Sequence, residues 1–142
     1  MPSLFEKILV PLDFTDKNEA ALNICLELAK QNRSQIALLH VIETIPGLPE
    51  DDVQDLYDKL RMSAKTKLET IAKRFKAENL QVDIEIAIGK RGPDIVRCAA
   101  DWQVDLVILS SHKVGIKDPV RNWATLSYQV SIICPCPVLL VK

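Results

Sequence analysis

Asp13 and His112 stand just beyond two short apolar runs of the chain, where a side chain could meet a ligand. A carboxylate at the tip of a central strand can accept hydrogen bonds from a ribose diol or an amine, and it can equally cap the turn into the next helix. Cys134-x-Cys136 brings two thiols together, but zinc needs about four ligands and neither His40 nor His112 is at ligand spacing to the cysteines. Packing is therefore the expected role of the pair, and no metal is expected. His40 lies inside an apolar run and reads as a satisfied core histidine. Lys90-Arg91 reads as a solvated turn in preference to an anion site. No G-x-S-x-G elbow occurs and no nucleophile appears with a base at motif spacing, so no catalytic residue is assigned and the chain is not expected to be an enzyme.

The elements that would position Asp13 and His112 alternate short apolar runs with helical segments, the pattern of βα units around a parallel sheet. Strands are expected over Lys7 to Leu12, Gln35 to Ile42, a run holding Val82, Ile84 and Ile86, Asp105 to Leu109, and Val138 to Val141. Unbroken apolar runs in the first, second and fourth mean that helices cover both faces. The third alternates, with Asp83 and Glu85 between its aliphatic residues, which puts it at a sheet edge. The first helix is expected to open with a capping box of Asp16 and Glu19 and to bury Ala21, Ile24, Cys25 and Leu28. A long helix from about Asp51 to Glu78 presents Val53, Leu56, Leu60, Ala64, Leu68, Ile71 and Phe75 on one side. The third helix opens at Gly92-Pro93, with Pro at the first helical position, and Cys98 is expected on its buried face. The fourth, about Val120 to Ile133, shows Trp123, Leu126, Val130 and Ile133 at helical spacing, and Pro135 and Pro137 stop it.

The 142 residues have the size of a single domain, 1–142, and their 48% hydrophobic content suffices for a core between helices and a sheet. A net charge of -1 gives no reason to expect nucleic acid or an anionic membrane as a partner. No apolar run approaches the roughly 20 residues that span a bilayer, and the N-terminus lacks the segments of a signal peptide, so a cytoplasmic location is expected. Four cysteines beside a full core do not read as a disulfide scaffold.

Lys7-Ile8-Leu9-Val10-Pro11-Leu12-Asp13-Phe14-Thr15, Leu38-Leu39-His40-Val41, Gly89 with Asp105-Leu106-Val107-Ile108-Leu109-Ser110-Ser111-His112, and Cys134-Pro135-Cys136-Pro137-Val138-Leu139-Leu140-Val141 come in that order. Together they cover essentially the whole chain, which resembles a universal stress protein domain of the UspA type. The resemblance implies a doubly wound α/β fold, a five-stranded parallel sheet of order 3-2-1-4-5 with helices on both faces. Receivers and flavodoxins share that class, but this chain lacks the acidic pair and phosphorylatable Asp of the first and the Ser- and Thr-rich phosphate loop of the second.

Nucleotide-binding relatives resemble one another in a stretch G-x2-G-x9-G-[ST] after the fourth strand, whose bare backbone amides wrap phosphates. Here the stretch from Ser110 to Thr125 keeps one glycine, Gly115. Lys113 and Ala124 fall where motif glycines would, Pro119 removes an amide donor, and Asp118 adds an adverse charge. Lys113, Lys117 and Arg121 are available to neutralise a phosphate. Thr125 keeps the hydroxyl position. In nucleotide-binding relatives the positions matching Pro11, Asp13 and Val41 line the adenine and ribose. No resident cofactor is expected. If nucleotide binds, the ligand is ATP or AMP and the site is Pro11, Asp13, Val41, Ser110, His112, Gly115 and Thr125. The leading expectation is a stress-response homodimer acting through protein contacts with a partner protein the sequence does not identify; an ATP-binding switch or weak ATP hydrolase is the alternative. The last strand, Val138, Leu139, Leu140 and Val141, has no charge until Lys142 and is the expected dimer edge.

Overall fold

The computed structural model describes residues 4–47, 50–111 and 126–142. Five strands run β1 Lys7–Pro11, β2 Gln35–Glu43, β3 Val82–Gly89, β4 Leu106–Ser110 and β5 Val138–Val141. Between them, among the described residues, lie α1 Asn18–Asn32, α2 Glu50–Lys76, α3 Arg91–Asp101 and α4 Leu126–Ile133. All strand pairs are parallel and the order is β3-β2-β1-β4-β5, as the resemblance implied. β3 is an edge strand, as its alternation required.

Side-chain alternation along each strand divides the core into two layers. Ile8, Val10, Ile36, Leu38, Leu106 and Ile108 point to one face, where they pack with Leu22 and Cys25 of α1 and Leu68 and Phe75 of α2. Leu9, Leu39, Val41, Val107 and Leu109 point to the other, against Ile95 and Cys98 of α3 and Val130 of α4. The unbroken apolar runs are thus buried on both sides. In β3, Val82, Ile84 and Ile86 pack on the first layer, while Glu85 turns toward α3 and accepts a hydrogen bond from the Cys98 thiol at 2.5 Å.

Several local expectations are corrected. α1 has no side-chain cap: its N-cap is Lys17, and Glu19 instead forms a two-pronged ion pair with Arg74 of α2 at 2.6 and 3.0 Å. That contact joins α1 to α2, so the carboxylate is used between elements and not within one. Ile24 is 38% exposed and Leu22 and Ala29 take its place in the core. In α2, Leu56 and Leu60 are exposed while Ala64, Leu68, Ala72 and Phe75 are buried. Ile133 at the end of α4 is exposed; Trp123 lies outside the described residues. Pro93 is the third residue of α3, still in the first turn, where its missing N–H costs no intrahelical bond.

Candidate functional site

β1 ends at the centre of the sheet, so the chain leaving it must turn over the strand ends before α1 begins. The turn is built on two side chains. Asp13 Oδ1 accepts from the Thr15 amide at 3.0 Å and from the Thr15 hydroxyl at 2.7 Å. Asn18, the first residue of α1 and only 5% exposed, accepts from the Asp13 and Phe14 amides at 3.0 and 2.8 Å and donates to Ser110 Oγ at 3.0 Å. Asn18 therefore ties the end of β1 to the end of β4. Phe14, between them, has a left-handed backbone with φ of 64°, a conformation that costs a residue with a Cβ about 1–2 kcal/mol. Its ring is held by contact with His40 at 4.3 Å between centroids and by the Lys67 ammonium 5.1 Å away on the ring. His40 Nδ1 lies 2.7 Å from the Leu12 carbonyl and donates to it. The histidine is hydrogen-bonded as the sequence suggested, although half-buried and part of the site wall.

A cavity opens over these strand ends. Among the described residues its floor is apolar, from Pro11, Leu39, Val41, Ile95 and Leu109, and its polar wall is Asp13, Asn18, His40, Arg91 and Ser110. Of the residues singled out in the sequence, Pro11, Asp13, Val41 and Ser110 are brought together here. His112, Gly115 and Thr125, with Lys113, Lys117, Asp118, Pro119, Arg121 and Ala124, lie outside the described residues. Partial burial pushes the Asp13 carboxyl up, but the Thr15 hydroxyl and amide and the nearby Arg91 charge outweigh it and hold the group below its ordinary value. At neutral pH Asp13 is an ionised acceptor.

Asn18 and Arg91 belong to the site and were not assigned to it from sequence. Arg91 follows β3, so the rule that ligands bind beyond the carboxyl ends of parallel strands was a signal for it. Its place is set by the β3–α3 turn: Asp94 accepts from the Lys90 amide at 3.0 Å, and a Cβ on Gly89 would collide with that carboxylate, which makes glycine the fitting residue there. Arg91 Nε then meets Glu43 at the end of β2 at 3.1 Å. Away from the cavity, Cys134 and Cys136 Sγ are 3.9 Å apart, and no group of three or more His, Cys, Asp or Glu side chains suited to a metal gathers among the described residues.

The arrangement can bind a small ligand with an apolar flat part and hydroxyl donors, by stacking on the floor and donating to Asp13. A model of the universal stress protein family matches residues 4–142. Universal stress protein MJ0577 of Methanocaldococcus jannaschii is 30% identical, with 100% of this chain and 98% of that protein aligned. A solved structure of MJ0577 superposes with a TM-score of 0.79 at 29% identity, covering 98% of this chain and 96% of that chain. UspA from Lactobacillus plantarum gives a TM-score of 0.84 at 21% identity, covering 99% and 100% of the two chains. The universal stress protein from Archaeoglobus fulgidus in complex with dAMP gives 0.69 at 16% identity, covering 98% and 99%. With the strand order, the match over nearly its whole length and the relatives above, this chain belongs to the universal stress protein family.

Proposed function

We propose that this single-domain universal stress protein acts in the cytoplasm as a homodimer, through contacts with other proteins and without chemistry of its own. The observation that carries the dimer is the edge at β5. Among the described residues β5 pairs only with β4, Leu139 is 38% exposed, and α4, which packs beside it, exposes Tyr128, Ile132 and Ile133. An apolar strand edge with unpaired amides invites another strand, and a second copy across a two-fold axis supplies one. Sedimentation should give a dimer. Leu139→Glu, which changes an exposed side chain and leaves the core intact, should give a monomer; a Leu139→Glu variant that dimerises with unchanged affinity would move the interface away from Val138, Leu139, Leu140 and Val141.

A second reading is supported by the strand-end cavity: an adenine nucleotide held by its nucleoside half. Pro11, Asp13, Val41 and Ser110 converge there, and the A. fulgidus relative of the same fold is complexed with dAMP. The stretch from Ser110 to Thr125, with its single glycine, offers few bare amides for a phosphate chain. Calorimetry should therefore find AMP and Mg-ATP binding with similar, modest affinity. Asp13→Ala should weaken both about tenfold or more, the usual effect of deleting a charged hydrogen-bond acceptor. A submicromolar ATP site absent for AMP would overturn this reading in favour of a phosphate-gripping switch or hydrolase.

A further inference from the structure

We infer that Cys134 and Cys136 form an oxidisable dithiol, a redox site that closes to a disulfide by exchange with a small-molecule disulfide of the glutathione class. The site is separate from the strand-end cavity, which neither residue lines. The pair stands where α4 passes into β5, and the chain bends at Pro135 and Cys136 so that the two sulfurs come within 3.9 Å of each other. Both residues are half-buried against the second core layer, whereas Cys25 and Cys98 are at 0% exposure. Oxidant reaches the first pair and not the other two thiols.

The backbone on either side of the pair is held. The Cys134 amide donates to the Val130 carbonyl at 2.9 Å, which continues α4, and the Pro137 carbonyl accepts from the Val107 amide at 3.0 Å, which seats the start of β5 on β4. Pro135 fixes its own φ between them. Much of the conformational freedom that two thiols lose on pairing is thus already gone. Closure needs the sulfurs to draw in from 3.9 Å to about 2.05 Å. Stability is a weak reason for such a bond, because a ring spanning only Cys134, Pro135 and Cys136 constrains the unfolded chain little. So tight a ring is strained, and strained disulfides are the ones readily reduced again.

Burial, with the Cys134 sulfur beside it, pushes the Cys136 thiol up to about 12, so Cys136 is protonated at neutral pH and the first attack falls to Cys134. Cys134 releases its proton to water and its thiolate attacks one sulfur of oxidised glutathione. The S–S bond of the oxidant breaks and one glutathione thiolate leaves. Cys134, now in a mixed disulfide, places no charge beside Cys136. Cys136 then gives its proton to water, its thiolate bonds to the Cys134 sulfur, and the second glutathione thiolate leaves. Two protein thiols are oxidised to one disulfide, the small disulfide is reduced to two thiols, and the two released protons end on the departing thiolates.

The test is to incubate the full chain under native conditions with oxidised glutathione, quench in acid, unfold, alkylate and map the thiols by mass spectrometry. Wild type should gain one bond within the peptide that holds Cys134 and Cys136, while Cys25 and Cys98 are alkylated. Excess reduced glutathione should restore all four thiols. Cys136→Ser should stop at a mixed disulfide of Cys134 with glutathione. Cys134→Ser should take up glutathione about tenfold more slowly or worse, since the remaining thiol is held protonated. The wild-type result needs no substitution, so it stands however well the variants fold. Wild type that keeps all four thiols, that halts at the mixed disulfide, or that links two chains in place of closing the internal bond would each overturn the inference. Equal uptake by the two variants would overturn the assignment of Cys134 as the attacking group.

Discussion

Cys25 and Cys98 are the two fully buried thiols, at 0% exposure, one in each core layer. Burial pushes the Cys25 thiol up to about 12, and burial with the Glu85 carboxylate does the same for Cys98. The thiolate is the reactive form, so both groups should be inert to Ellman's reagent in the native protein at pH 8 and react only on unfolding. The same shift sets an alkaline limit. Unfolded thiols ionise near 9, earlier than the native ones, so stability is intact below that pH and falls as pH rises toward about 12. The urea midpoint should decline over that window, less steeply in Cys25→Ala. Rapid native labelling of Cys25, or no alkaline decline, would contradict the packing. Asn18 and Arg91 show what residue types alone do not reveal. Asn18 reads as an ordinary first-turn residue, since its tie to Ser110 spans 92 positions of sequence and appears only when β1 and β4 are neighbours. Asp13 was legible because it directly follows an apolar strand.

The elements were legible through their periodicity, which is local. The four strands given bounds from sequence, β1, β2, β4 and β5, lie within about one residue of them, because buried parallel strands are continuous apolar runs, while β3, expected only as a run holding Val82, Ile84 and Ile86, extends to Gly89. What periodicity does not report is how far the partner surface extends. α2, with 27 residues, is about 40 Å long, whereas the nine-residue β2 beneath it spans about 30 Å. Its apolar stripe is covered only in part: Leu56 and Leu60 are exposed although they share the stripe with Val53, Leu68 and Phe75, which are buried. The failed capping box is of the same kind. Glu19 suits a cap locally, but the neighbouring helix offers Arg74. This division of α2 has a stability consequence. Leu68→Ala should cost about 2–5 kcal/mol, the range for a buried leucine, while Leu60→Ala should stay within roughly 1 kcal/mol because the side chain is already in contact with water. Urea midpoints at constant slope would measure both. Equal losses would mean that the first half of α2 is covered in solution.

At the scale of the molecule, the sheet of the described residues ends in two edges of unlike chemistry, β3 and β5. β3 carries Asp83 and Glu85, and its half-buried length ends in the charged turn at Lys90 and Arg91, so it resists adding a strand. β5 is four aliphatic residues in a row, and the exposed side chains of α4 extend its apolar surface. If β5 is covered by a second copy, folding and association are one equilibrium: native dimer on one side, two unfolded chains on the other. Mass action then makes thermal stability depend on chain concentration. Each tenfold increase should raise the unfolding midpoint by on the order of 2 °C, from about 1.4 kcal/mol of added association free energy and the unfolding entropy of two chains of this length. Leu139→Glu should lower the midpoint and also remove its concentration dependence, since a monomer unfolds to a monomer. Scanning calorimetry over a hundredfold range of wild-type and variant protein reads both effects together. A wild-type midpoint that stays constant over that range would show a chain that unfolds as a monomer, and the apolar edge at β5 would then have to be protected by its own α4.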